Sequence, residues 1–180
     1  MTVLRAQCRA KRESISSGDR LRASEAVCAA IMREEKYLCA KTVLLYSALG
    51  AELDVSPLLR HALQNGKRAA LPRVISDTQM EAIAANGLLK KGAFGILEPI
   101  GEIIPPQELD LVIVPLLAFT PDCFRMGWGR GYYDRYLLRT SPNCAFFGAA
   151  YSEQLCKAFV PQPHDQRLHK IFTPDQIYES

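Results

Sequence analysis

The 180-residue sequence contains no long apolar run. Its longest, "LVIVPLLAF", spans nine residues and is broken by Pro115, far short of the roughly 20 that a membrane helix requires. The N-terminal "MTVLRAQCRAKRES" has no hydrophobic stretch of signal-peptide length, so the protein is expected to be cytoplasmic with reduced thiols. The six cysteines form no C-x-x-C pair and have no zinc spacing. Cys28 and Cys144 fall in apolar patterns and read as small core residues. No internal repeat and no low-complexity segment is present. A Walker A loop and a clean G-x-G-x-x-G fingerprint are also missing, which excludes the commonest nucleotide-binding signatures.

Net charge is only +3, too small to mark a nucleic-acid binder. The charge is unevenly placed. Residues 1–22 carry six basic and two acidic side chains, a net +4 that leaves the remainder at −1. A second focus sets Arg125, Arg130, Arg135 and Arg139 against Asp134 alone. Two basic foci on a balanced chain suit a small anionic ligand better than a long polyanion, although solvated helix faces would look the same.

Local patterns alternate between helix and strand. Helices are predicted over "LRAQCRAKRES", over "RLRASEAVCAAIMREEKYL" with Asp19 as N-cap and Val27, Ile31 and Leu38 inward, and over "VSPLLRHALQNG" with Pro57 in its first turn and Gly66 as its stop. Strands are predicted at 42–48, in "KRAALPRV", "MEAIAA", "LVIVPLLAF" and "CAFFGAAYS", with "HKIFTP" a short last one. Residues 90–110, rich in Gly and Pro, read as a long surface connection. This order predicts a single three-layer α/β/α domain over residues 1–180 with a largely parallel sheet, whose ligands bind beyond the carboxyl ends of its strands.

"RMGWGRGYYDRYL" (125–137) follows the most apolar strand. Gly127, Gly129 and Gly131 stand at alternate positions, which is costly in backbone entropy for a chain that needs only to fold. With Tyr132 opening a helix, Tyr133, Tyr136 and Leu137 share a face against the sheet. The free N–H groups of the loop and helix start, with Arg125 and Arg130, would then cradle phosphate. A carboxylate there would repel a polyphosphate unless a cation lay between them, so Asp134 reads as a Mg²⁺ ligand. The bland alternative is a glycine-rich turn with solvated arginines and Asp134 complementing the helix dipole. An RNA-binding Arg/Gly tract would be repetitive, and this segment occurs once.

The block "LDLVIVPLLAFTPDCFRMGWGRGYYDRYL" resembles the signature of the 5-formyltetrahydrofolate cyclo-ligases, and "YSALGAELD", "GKRAALPRV", "GAFGILEPI" and "VPQPHD" extend the likeness over nearly the whole chain. The resemblance implies ATP- and Mg²⁺-dependent conversion of 5-formyltetrahydrofolate to 5,10-methenyltetrahydrofolate through a phosphorylated formyl group. It implies that Arg5, Arg125, Met126, Gly127, Trp128, Gly129, Arg130, Gly131, Tyr132 and Tyr133 hold ATP. Arg130 and Tyr132 would be catalytic, Ser47, Glu52, Trp128 and Tyr132 would bind the folate, and Asp134 and Asp165 the metal. A monomer with no nucleic-acid or membrane partner is expected. The alternatives are a folate- or nucleotide-binding relative without turnover, and a sugar-phosphate isomerase-like enzyme. Departures from the pattern are the absent lysine near Met1, Thr120 and Cys123 in place of Asp and Gly, which predicts a different turn, His169 in place of Asp, and Val55 in place of Thr.

Overall fold

The computed structural model describes residues 2–85, 89–91, 97–157, 159–162 and 165–180. Met1, and parts of the predicted 90–110 connection and of the "VPQPHD" motif, lie outside the described residues.

Among these residues an eight-stranded sheet runs in the order β12-β11-β10-β7-β1-β2-β3-β6. Its centre is β1 (Thr42–Leu44), flanked in parallel by β2 (Arg68–Val74) and β7 (Leu111–Val114). β10 (Ala145–Ala149) and β11 (Lys170–Phe172) extend the parallel set. The borders are antiparallel: β3 (Met80–Ala84) and β6 (Ile103–Ile104) on one side, β12 (Ile177–Glu179) on the other. This is the expected α/β architecture with a largely parallel sheet.

Period-2 side-chain alternation divides the core into two faces. Val43, Leu45, Leu111, Ile113, Ala145 and Phe147 pack with α2 (Ser17–Met32), α3 (Glu35–Cys39) and α4 (Ser56–Gln64). Leu44, Val112, Val114 and Ile171 pack with Tyr136 and Leu137 of α5 (Tyr132–Leu137). Burial on both faces explains why these strands read as continuous apolar runs.

Several local expectations are corrected. The N-cap of α2 is Ser16, whose hydroxyl accepts from Asp19 N at 3.1 Å, so Asp19 lies inside the helix. The helix stops at Met32, and in α3 Tyr37 is buried while Leu38 is exposed. The 90–110 segment is not only a connection, because β4 (Leu89–Lys91), β5 (Leu97–Pro99) and β6 form within or beside it. Gly101 lies so close to the Ala84 carbonyl that a Cβ would not fit. The apolar run 111–119 is two strands: Pro115 ends β7, and β8 (Ala118–Phe119) turns back as a hairpin with β9 (Arg125–Met126). β12 follows the strand expected to be the last.

Thr120 and Cys123 both help to build the turn of that hairpin. Cys123 adopts the left-handed φ of +63° that a glycine would favour, and Thr120 Oγ1 accepts from Phe124 N at 3.3 Å. The fully buried Cys123 tolerates the strain of that backbone.

Candidate active site

Beyond the carboxyl ends of β7, β1 and β2 lies a cavity of about 560 Å³. Pro115 closes the end of β7, Tyr46 and Ser47 leave β1, and Pro72 and Val74 come from β2. Every residue assigned to a site from the sequence lines this one cavity: Arg5, Ser47, Glu52, Arg125 through Asp134, and Asp165. Residues up to 160 positions apart in sequence are thus brought together by strand order.

The glycine loop leaves the β8–β9 hairpin and enters α5 through Gly131, whose φ is +66°. What approaches each glycine is a guanidinium. A Cβ on Gly127 would lie 3.0 Å from Arg125 Nη1, one on Gly129 3.1 Å from Arg5 Cζ, and one on Gly131 2.7 Å from Arg135 Nη1. Arg5 Nε also donates to Gly127 O at 3.2 Å, and Arg135 donates to Thr78 O at 2.8 Å and Arg130 O at 2.6 Å. The loop is therefore shaped by cations stacked on bare peptide. α5 is only six residues long, so its dipole contributes little.

Arg125 is 5% exposed and donates to Asp134 Oδ1 at 2.6 Å. Burial lowers its pKa, opposed chiefly by Asp134. The sequence pattern suggests separate roles, Arg125 as a phosphate contact and Asp134 as a carboxylate in need of a cation. In the fold each is the other's partner, and the pair braces the loop that lines the cavity. Arg130, by contrast, is exposed at the cavity.

Asp165 Oδ2 accepts from Gln162 N at 2.7 Å. No group of three or more potential protein ligands for a metal occurs among the described residues. Two carboxylates on one cavity still suit magnesium, which commonly takes one or two from protein and completes its shell with phosphate and water. One Asp134 oxygen is committed to Arg125, which leaves the other for such a role.

Glu52 is held from two sides. Trp128 Nε1 donates to Oε1 at 2.9 Å, and Leu49 N donates to Oε2 at 2.9 Å. Tyr132 spends its hydroxyl on Ser76 O at 3.1 Å, which leaves its ring as the face offered to a ligand. The Tyr133 hydroxyl is sealed from solvent with no hydrogen-bond partner among the described residues, and burial with the nearby Glu52 carboxylate raises its pKa far above the usual phenol range. Sequence reasoning missed Arg12, which is buried and stacks on the Trp128 ring at 5.0 Å. Its position seven residues after Arg5, on the same face of α1 (Thr2–Glu13), was the available signal.

A sequence profile described as the 5-formyltetrahydrofolate cyclo-ligase family matches residues 1–174. The chain is 31% identical over 138 residues to a 5-formyltetrahydrofolate cyclo-ligase of Mycoplasma pneumoniae, covering 76% of this chain and 75% of that one. It is 30% identical over 152 residues to the Escherichia coli K12 protein of the same name, covering 78% and 81% respectively. The NMR structure of Aquifex aeolicus 5,10-methenyltetrahydrofolate synthetase superposes with a TM-score of 0.88 at 31% identity, over 99% of this chain and 91% of that one. The Mycoplasma pneumoniae 5,10-methenyltetrahydrofolate synthetase structure gives a TM-score of 0.81 at 28% identity, over 96% and 98%.

Proposed function

Because this chain belongs to the 5-formyltetrahydrofolate cyclo-ligase family, we propose that it closes 5-formyltetrahydrofolate to 5,10-methenyltetrahydrofolate using ATP and Mg²⁺, releasing ADP and phosphate. The observation that carries this reading is the convergence of the glycine loop, Glu52 and Asp165 on one cavity. Its volume, about 560 Å³, lies within the range of small-molecule sites.

The chemistry asks for charge neutralisation and alignment. A formamide oxygen is a poor leaving group. Transfer of the γ-phosphoryl group to it breaks the bond to ADP and gives an imidate phosphate. The N10 lone pair then attacks the formyl carbon, the C–O bond breaks, and phosphate leaves with its electron pair as N10 loses its proton. Loop N–H groups and Arg5 hold the phosphates, with Arg130 nearest the transferred group. Glu52 accepts from the paired N–H donors of the pterin, and the Tyr132 ring lies beside the formyl group. Asp134 and Asp165 would hold magnesium, which when bound offsets the charge of the phosphate tail. The buried Arg125 fixes Asp134 and the loop around it.

The test is a spectrophotometric assay of purified protein with 5-formyltetrahydrofolate, Mg²⁺, and with or without ATP. Near-ultraviolet absorbance of the methenyl product is expected only with ATP. A folded preparation that binds folate in a calorimeter yet yields neither product nor ADP would replace this reading with that of a binding protein.

A further inference from the structure

Helix α1 buries one side chain, and that side chain is a cation: Arg12 is 3% exposed. A helix that needed only to dock would do as well with leucine or methionine, because taking a guanidinium out of water is costly unless its pairing is good. Here the pairing is incomplete. Nη1 lies 3.9 Å from Glu52 Oε1 and 3.5 Å from Leu116 O, and Nε is sealed from solvent with no hydrogen-bond partner among the described residues. A buried polar group left this way calls for an explanation other than stability.

The position supplies a fixed positive charge behind Glu52 and against Trp128. The indole faces Arg12 at 5.0 Å, and its Nε1 donates to Glu52 Oε1, the same oxygen that Arg12 approaches. The three groups therefore form a closed triangle. Glu52 and Trp128 both line the cavity, whereas Arg12 stands behind them. Glu52 belongs to the segment after β1, and Trp128 to the glycine loop after β9, so the triangle joins the two halves of the site.

We infer that Arg12 is a positioning residue for folate recognition, locking the Glu52 carboxylate and the Trp128 indole into one unit. A carboxylate has about four lone-pair sites. With one oxygen oriented by Trp128 and the other by Leu49 N, those that remain are aimed before the pterin arrives. The same lock registers the glycine loop against the folate half of the cavity. This inference rests on the reading of Glu52 as the pterin-binding carboxylate.

The experiment compares full-length Arg12→Met and Arg12→Lys with the unaltered protein. It measures thermal stability, kcat, KM for 5-formyltetrahydrofolate and for ATP, and emission from Trp128, the sole tryptophan of the chain. The Met variant should fold, shift the Trp128 emission, and raise the folate KM by about ten-fold or more while kcat changes less. The Lys variant, which keeps the charge but not the planar stack, should recover part of that loss. An unchanged folate KM in a folded Met variant overturns the inference, and so does a loss of folding in both variants. Absence of turnover in the unaltered protein would instead remove the proposed function. Titration of 5-formyltetrahydrofolate against Trp128 emission then tests Arg12 alone: weaker binding by the Met variant supports it, and equal binding sinks it.

Discussion

Arg125 and Asp134, nine residues apart across the glycine loop, form an ion pair of 2.6 Å in which the arginine side chain is almost wholly enclosed. A buried cation of this kind depends on its carboxylate partner, so the pair acts as a clasp that fixes both ends of the loop.

Asp134→Asn should therefore cost stability as well as metal response. Asparagine can still accept from Arg125 but leaves its charge uncompensated, an expected loss of about 2 kcal/mol in urea unfolding. The stabilising effect of Mg²⁺ on the ATP-bound protein should decline in the same variant. An unchanged unfolding midpoint would show that the clasp contributes nothing.

Arg130→Ala should do the opposite. The side chain is exposed at the cavity, so stability should stay within about 0.5 kcal/mol. Turnover should fall about a hundred-fold or more if, as proposed, this charge faces the transferred phosphoryl group. Unfolding at an equal temperature would rule out the phosphate role.

Gly129→Ala and Gly66→Ala separate backbone strain from site geometry. Both glycines have positive φ, +93° and +71°, and each alanine should cost about 1–2 kcal/mol. A Cβ at Gly129 would also press on Arg5, whereas nothing lies within 4 Å of one at Gly66. The KM for ATP should rise in the first variant only; equal kinetics in both would show that the Arg5 contact is idle.

Cys123 carries a left-handed backbone and a fully buried thiol. Glycine would relieve the strain and give up the packing, so Cys123→Gly should lie within about 1 kcal/mol of the unaltered protein. The β-branched Cys123→Val should lose about 2 kcal/mol or more. Comparison of their denaturation midpoints decides this, and a valine variant as stable as the glycine one would contradict the strain.

His169 Nδ1 accepts from Phe146 N at 2.9 Å, and burial, with Lys36 nearby, lowers the imidazole pKa. The unfolded chain thus holds the proton more tightly than the folded one. The contribution is intact above the unfolded value of about 6.5 and is lost as pH falls from there through the folded value. His169→Asn keeps an acceptor near the Nδ1 position without titrating. Urea midpoints between about pH 7 and 5 should fall less steeply for the variant; parallel slopes would exclude His169 as a source of acid sensitivity.

Helices α1 and α4, strands β2, β3 and β10, and the helix start at Tyr132 were legible because each rests on local pattern: apolar period, turn residues and end signals. The site residues were legible as a set because the motif and its resemblance name them together. The capping of α2 by Ser16 and the exposure of Leu38 were not, since neighbouring polar and apolar residues compete for such positions and packing selects among them. Strand β12 and the antiparallel borders exist only through their partners, which short segments of ordinary composition do not announce.

The sequence alone determined the alternation of helix and strand, the two buried faces of the sheet and the chemical inventory of the site. Those follow from period, side-chain size and charge, which act over a few residues. The tertiary structure decided the partnerships: that guanidinium groups lie against the three glycines, that Arg125 neutralises Asp134, and that Arg12 stands behind Glu52 and Trp128. The residues concerned lie up to 124 positions apart, and what makes them meet is the order of strands and the cost of burying a charge without a partner.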